Sequence, residues 1–195
     1  MKKYILFLLI TIEAVSFSSC SDGGTTIHGK LSVLKHEAKN VYLCDAYSYK
    51  TIDSTRVNDG KFVFHIPDSV KGIRLLALRN ALEENLPLSL PVVVGEGDVN
   101  VIMGETILTY GTPLNDRLQD FLLATDAFHG EMLKKELSAA EIAPLFTSLL
   151  QEQILLNRDN IVGVYIYKSY KSRFSPEKKE ELIRQCGEWF GKQIK

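Results

Sequence analysis

The sequence is poor in the features that most catalytic sites need. Its 195 residues include only three cysteines, three methionines and one tryptophan, and no two cysteines form a Cys-x-x-Cys pair. A thioredoxin-type redox pair within this chain is therefore excluded. The Gly-x-x-x-x-Gly-Lys-Ser/Thr loop and the Gly-x-Ser-x-Gly turn are also absent. The formal net charge of −1 argues against a nucleic-acid partner, because nucleic-acid-binding domains carry a basic face.

The remaining candidates for chemistry do not combine into a site. No histidine stands four residues from another, so the sequence does not predict a helical zinc site (His28, His36, His65 and His129). Gly95-Glu96-Gly97 is half of a dinucleotide-binding loop, and a turn is the expected structure. Adjacent acids such as Glu180 and Glu181 point apart on a helix. We therefore expect no enzymatic activity, no catalytic residue, no metal and no cofactor.

The first 19 residues have the pattern of a secretory signal peptide. A basic start at Lys2 and Lys3 precedes a short apolar run over residues 4–12. The run is too short for a membrane-spanning helix, which needs ~20 apolar residues. Small residues then lead to Cys20. We predict that residues 1–19 are removed after export.

Cys20 resembles the cysteine of a bacterial lipobox, which is lipidated on its sulfur and becomes the mature N-terminus. Phe17 stands where that motif prefers leucine. An ordinary cleaved signal with an incidental cysteine is the alternative. We expect residues 20–25 to form a lipidated cysteine and a tether, of which residues 21–25 reach roughly 18 Å at about 3.5 Å per residue. The expected location is the cell envelope, with the domain anchored by lipid to a membrane, at an outer membrane or a periplasmic face.

Two further cysteines, Cys44 and Cys186, lie far apart in the sequence. They could form one disulfide bridge in an oxidising compartment. The alternative is a pair of buried thiols, because cysteine without a bridge is among the most buried residue types.

Residues 26–111 show the alternation of short β-strands separated by turns. The clearest case is Ile52–Ile66, where Asp59-Gly60 predicts a two-residue type I′ turn between two paired strands. That pairing sets two residues of the first strand opposite two of the second (Val57 with Phe62, and Thr55 with Phe64). Alternation places three apolar side chains on one core-facing side (Phe62, Phe64 and Ile66).

From Thr112 the pattern changes to amphipathic helices over residues 112–195. N-terminal signals predict about four helices (Thr112-Pro113, the capping box Ser138–Glu141, the region near Asp159, and Ser175-Pro176). The predicted inward faces include Leu145 and Phe146 in the second helix, and Trp189 and Phe190 in the fourth. The expected fold class is α+β, with an N-terminal antiparallel β-sandwich or open barrel followed by a C-terminal group of helices.

Six tyrosines are candidates for a binding face (Tyr42, Tyr47, Tyr49, Tyr165, Tyr167 and Tyr170). Half-buried positions in strands and helices explain the same residues equally well.

Three stretches together resemble a known domain. The first is "IHGKLSV" and "NVYLCD" with "TIDSTRVNDGKFVFHI", the second is "YGTPLNDRLQDF", and the third is "LNRDNIVGVYIY". They are similar to the N-terminal domain of unknown function that precedes a thioredoxin-like domain in Bacteroidetes lipoproteins of the thiol–disulfide oxidoreductase type. The catalytic cysteines of that family lie in the thioredoxin-like domain, which we expect this chain to lack. No position of the 195 residues matches them, so the resemblance assigns no catalytic residue here.

The function expected from these observations is a lipid-anchored, non-catalytic envelope module that acts as a binding or scaffold domain. The resemblance implies one alternative, an accessory role beside a separate thioredoxin-like oxidoreductase, which would be an envelope protein partner. The tyrosines support another, a lipoprotein that binds glycans or other ligands.

Overall fold

The computed structural model describes residues 24–32, 39–78, 88–104 and 106–195. Eight strands come first (β1 Gly24–Ser32, β2 Asn40–Asp45, β3 Thr51–Arg56, β4 Lys61–Pro67, β5 Gly72–Leu78, β6 Leu88–Val94, β7 Val99–Gly104 and β8 Leu108–Tyr110). Four α-helices follow (α1 Pro113–Met132, α2 Ala139–Leu156, α3 Ile161–Tyr170 and α4 Pro176–Gln193), with a 3₁₀ turn at Lys171–Arg173. This order confirms the predicted α+β class, with strands first and helices after.

The strands form two four-stranded sheets. Sheet 1 has the order β4-β1-β7-β8, and sheet 2 has the order β3-β2-β5-β6. Five of the six strand pairs are antiparallel, as predicted, but β1 and β7 run parallel. This pairing joins strands that are far apart in the chain. The alternation of apolar and polar residues within one strand does not predict which distant strand it pairs with.

Sheet 2 is the middle of three layers. One apolar cluster fills the space between the sheets, with Leu76 and Val92 from sheet 2 and Ile27 and Val101 from sheet 1. A second cluster, which includes Leu75 from the other face of sheet 2, lies between that sheet and the helices. Burial on both faces explains why β5 and β6 are almost continuously apolar.

The predicted turn is present, but the strands that flank it do not form a hairpin. Asp59 and Gly60 have φ angles of +50° and +71°, and Asn58 and Lys61 bridge the turn through two backbone hydrogen bonds of 2.9 Å. Beyond this bridge β3 pairs with β2, while β4 pairs with β1 in the other sheet. The bridge has the predicted register, but the predicted pairs beyond it do not form, because Phe62 and Phe64 pair with β1 and Thr55 pairs with β2. The core-facing side of β4 is confirmed, since Phe62, Phe64 and Ile66 are buried.

The helix starts follow the predicted capping signals. Thr112, Ser138 and Ser175 are N-caps whose side chains accept hydrogen bonds from backbone N–H groups, and Ser138 forms a complete capping box with Glu141. The third helix begins at Ile161, with Asn160 as its cap.

Two side chains predicted to face inward are exposed. Leu145 is 45% exposed because the buried stripe of α2 is narrower than predicted and consists of Phe146, Leu150 and Ile154. Trp189 is 43% exposed because Gly187 interrupts α4 at φ +85° and ψ −177°, which rotates the last turn relative to the turns before it. The prediction for Trp189 assumed one uninterrupted helix.

The first turn of α1 holds the edges of both sheets together. The fully buried Asn115 bonds to Val93 of β6 as a neighbouring strand would: its Oδ1 accepts from the backbone N–H, and its Nδ2 donates to the carbonyl oxygen, each at 2.9 Å. The same Oδ1 accepts from the hydroxyl of Thr109 in β8 at 2.8 Å. Gln119, one turn later, accepts from the backbone N–H of Thr109 and donates to Ile107. The "GTPLND" stretch thus connects an edge strand of sheet 1 to an edge strand of sheet 2 through Asn115, and we call this connection the joint.

Residues 1–19 and Cys20 lie outside the described residues, so the predictions of a signal peptide and of lipidation stay predictions. In the described part of the chain, no helix combines the length and the apolar character needed to cross a membrane.

Candidate binding surface

The loop between β2 and β3 is held in one conformation by Asp45. One carboxylate oxygen accepts hydrogen bonds from the backbone N–H of Tyr47 at 3.1 Å, and from the backbone N–H and hydroxyl of Ser48 at 2.8 Å each. The backbone carbonyl oxygen of Asp45 accepts a hydrogen bond from the backbone N–H of Tyr49. The backbone N–H of Asp45 donates a hydrogen bond to the carbonyl oxygen of Lys50. The hydrogen bonds from Ser48, led by its backbone N–H, lower the pKa of the Asp45 carboxyl. The loop therefore presents its tyrosines from a fixed backbone.

Tyr49 adopts a backbone conformation that its own packing does not explain. Its φ is +58°, a region that a residue with a bulky side chain rarely occupies. The side chain is 66% exposed, so burial does not offset the strain. Residues held in such conformations without a packing reason cluster at functional sites, and Tyr49 is therefore the first candidate for a ligand contact.

Helix α3 places two more tyrosines beside this loop. The rings of Tyr47 and Tyr165 have centroids 6.4 Å apart. Burial raises the pKa of Tyr165 strongly, and the nearby hydroxyls of Tyr170, Tyr49 and Tyr47 raise it further. Burial is also the main cause that raises the pKa of Tyr170, and the neighbouring Tyr49 raises it further. We call Tyr47, Tyr49, Tyr165 and Tyr170 the tyrosine surface.

The tyrosine surface has a cation on one side and a rigid aromatic base beneath it. The Nζ of Lys168 lies 5.5 Å from the centroid of the Tyr47 ring, within the range of a cation–π interaction. The ring of Tyr170 meets Phe121 and Phe146 edge-on, at centroid distances of 6.2 and 5.8 Å. These contacts connect the surface to the core between sheet 2 and the helices.

The chemistry of this arrangement suits binding better than catalysis. A tyrosine that acts as a general base needs a pKa lowered towards neutrality, whereas the pKa of Tyr165 is raised. Because the pKa values of Tyr47, Tyr165 and Tyr170 are all raised, the hydroxyls of these three residues stay protonated at neutral pH and can donate and accept hydrogen bonds. Aromatic faces with polar ends bind ligands that combine an apolar face with hydroxyl groups.

Residues 25–118 match the family model described as Domain of unknown function (DUF4369). The matched segment begins at the second residue of β1 and ends in α1 between Asn115 and Gln119, so it includes nearly all of both sheets and the contacts of Asn115 that join them. It contains Tyr47 and Tyr49, while Tyr165 and Tyr170 lie beyond it. A search of curated proteins finds no match for the chain.

The structure brings together four of the six tyrosines that the sequence suggested as a binding face. Tyr167 faces elsewhere: it is 6% exposed and stacks on Phe174 with ring centroids 6.5 Å apart. Tyr42 is half-buried and packs against the core on the helix side of sheet 2. Sequence reasoning missed Lys168 as part of this surface, because its contact with Tyr47 depends on how α3 docks.

Cys44 and Cys186 both belong to the core on the helix side of sheet 2. In this structure both carry thiols, Cys44 on β2 and Cys186 on α4. Burial raises the pKa of the Cys186 thiol, while the charge of Arg158 opposes that shift. This suits a structural thiol rather than a reactive thiolate. A bridge between the two cysteines stays a prediction.

Within the described ranges, no group of three or more His, Cys, Asp or Glu side chains is arranged to hold a metal ion. His28 and His65 lie in β1 and β4, as predicted, and His129 lies in α1 beside the rings of Phe128 and Phe146. His36 lies outside the described residues.

Proposed function

We propose that this chain is a non-catalytic binding domain of the cell envelope, tethered to a membrane by lipid on Cys20, and that the tyrosine surface is its binding site. The observation that carries the proposal is Tyr49, which is exposed, conformationally strained and held in place by the hydrogen bonds of Asp45. The strained backbone holds the Tyr49 ring in a position where a ligand can stack on it.

The ligand class that suits the tyrosine surface best is a carbohydrate. A sugar ring presents an apolar C–H face that packs on an aromatic ring, while its hydroxyls take part in hydrogen bonds. Tyr47 and Tyr49 supply exposed rings, and Lys168 supplies a donor beside them.

Binding is tested on a glycan array and then by calorimetry with any glycan that binds. Tyr49→Asn removes the ring and places at this position a residue that adopts positive φ easily. We expect at least a tenfold loss of affinity, together with unchanged or higher stability. Tyr110→Ala is the matched control, because Tyr110 is 47% exposed on β8, outside the tyrosine surface. An array without hits, or an equal loss in both variants, would refute the proposal.

The tether is tested separately in cells. Cys20→Ser should abolish incorporation of a labelled fatty acid and release the protein from the membrane fraction. Labelling that persists in this variant would place the lipid elsewhere or show that the lipobox assignment is wrong.

A redox-accessory role is the second candidate. It is supported by the resemblance to domains that precede a thioredoxin-like domain in Bacteroidetes lipoproteins, and the strands that carry much of this resemblance lie in the DUF4369 segment. In-cell cross-linking of the tagged chain, followed by mass spectrometry, tests it. Recovery of a thioredoxin-like lipoprotein or its membrane electron donor would support this role, and recovery of only transport or surface proteins would favour binding or scaffolding.

A further inference from the structure

A groove of about 700 Å³ lies where the end of α3 meets the second half of α4. It is open to solvent on one side, and its volume is in the range of pockets that hold small molecules. Its apolar lining includes Tyr167, Ile183 and Ile194. None of these residues belongs to the tyrosine surface, so the groove is a separate feature of the molecule.

Two glycines create the open space. Gly187 breaks α4 at φ +85°, and a Cβ built on it meets no atom within 4 Å. A Cβ on Gly191 would lie 3.6 Å from the Cγ2 of Ile183, at ordinary contact distance. Side chains at these positions would occupy the groove rather than the core.

The rim of the groove is positively charged. Lys171, Arg184, Lys192 and Lys195 line it together with a single acid, Glu188. Glu188 is 2.6 Å from Lys192 and therefore neutralises one cation. Among the described residues, neither Lys171 nor Arg184 forms an ion pair with a carboxylate.

Glu181, whose carboxylate interacts electrostatically with Arg184, is already paired with Lys178. Arg184 contributes to lowering the pKa of Glu181, but the main causes are the hydrogen bond and the charge of Lys178, whose Nζ is 3.0 Å from that carboxylate. The groove thus keeps a positive rim in a chain whose formal net charge is −1.

We propose that this groove binds an amphipathic anion, a long-chain carboxylate, with its head at Lys171 and Arg184 and its chain on the apolar lining. The cations attract the carboxylate, and Ile183 and Ile194 remove part of the chain from water. Neither the cations nor the apolar residues suffice alone. Surface charges contribute little when they are screened by salt, and an open groove buries only one side of a hydrocarbon chain.

The test is calorimetry of the purified full-length chain with three probes: decanoate, 1-decanol and acetate. We expect decanoate to bind, 1-decanol to bind at least tenfold more weakly, and acetate not to bind measurably. Affinity for decanoate should fall as salt concentration rises. The only tryptophan of the chain, Trp189, follows Glu188 of the rim, so its fluorescence gives a second readout.

Variants separate the charge from the shape of the groove. K171E/R184E should weaken decanoate binding at least tenfold, whereas K134E/K135E makes the same charge change at exposed positions after α1 and should leave it unchanged. Gly191→Leu fills the groove without changing charge and should also abolish binding. Absence of decanoate binding to the wild-type chain would overturn the proposal. So would equal binding of 1-decanol, or equal loss in both charge-reversal variants.

Discussion

Asn115→Ala should destabilise the fold more than any exposed substitution, because it removes the joint between the two sheet edges. The backbone N–H and carbonyl oxygen of Val93 and the hydroxyl of Thr109 would all lose their partner. A buried polar group left unsatisfied costs about 1–3 kcal/mol. Alanine regains less than about 0.7 kcal/mol through its better helix propensity.

Three such groups, less the gain in helix propensity, give an expected net loss of about 2–8 kcal/mol, which is a large part of the roughly 5–15 kcal/mol that stabilises a typical domain. Urea unfolding followed by circular dichroism measures it. Thr109→Val provides a milder version: it removes one hydroxyl and leaves the bonds to Val93, so its expected cost is about 1 kcal/mol.

Gln185→Ala is the control, because Gln185 is an exposed amide with a single hydrogen bond, to Glu181 at 2.9 Å. Its effect should stay within about 0.5 kcal/mol. If Asn115→Ala and Gln185→Ala unfold at the same urea concentration, the three hydrogen bonds from Asn115 to Val93 and Thr109 do not hold the sheet edges.

Three further predictions concern backbone strain and burial. Gly29→Ala should destabilise by about 1–3 kcal/mol, since its Cβ would overlap the ring of Phe62, whereas Gly130→Ala has free space in α1 and should stabilise by about 0.5–1 kcal/mol; equal thermal shifts would contradict this. Gly187→Ala should cost about 1–3 kcal/mol in urea unfolding because its backbone conformation is accessible almost only to glycine, and a neutral result would show that α4 can straighten there. The pKa of Tyr165 is raised by folding, so its stabilising contribution is present below pH 10, the unfolded value, and is lost as pH rises further. Tyr165→Phe should therefore flatten the fall of the urea midpoint above about pH 10, and an unchanged slope would argue against a buried hydroxyl.

Local signals predicted the elements of this fold well. Alternation placed Phe62, Phe64 and Ile66 on one side of β4, and the caps at Thr112, Ser138 and Ser175 set the starts of three helices. Each of these signals acts within a few residues, so the sequence alone contains it.

Pairing and helix phase could not be predicted in the same way. The turn at Asp59-Gly60 has the geometry of a hairpin, but β4 pairs with β1, where its apolar side chains are buried, while β3 pairs with β2 and stays largely exposed. The face of Trp189 depends on the break at Gly187, and a glycine inside a helical pattern does not reveal its φ angle.

The candidate site depended almost wholly on tertiary structure. The sequence suggested six tyrosines, and only the docking of α3 beside the β2–β3 loop selects four of them. The role of Asn115 was invisible for the same reason: its main partner, Val93, stands 22 residues earlier in the chain. In the third position of a helix, an asparagine has no local sign of such a bond.

The joint at Asn115 also decides where another β-strand can add to this domain. β6 and β8 are edge strands, and the side chains of α1 occupy backbone groups that an incoming strand would need. Among the described strands, β3 and β4 are the edges at the opposite side, next to each other across the turn at Asp59-Gly60. Unpaired edges are where chains aggregate or recruit a partner strand. Growth of this sandwich by strand addition is therefore directed to one side, and loss of Asn115 would open the other.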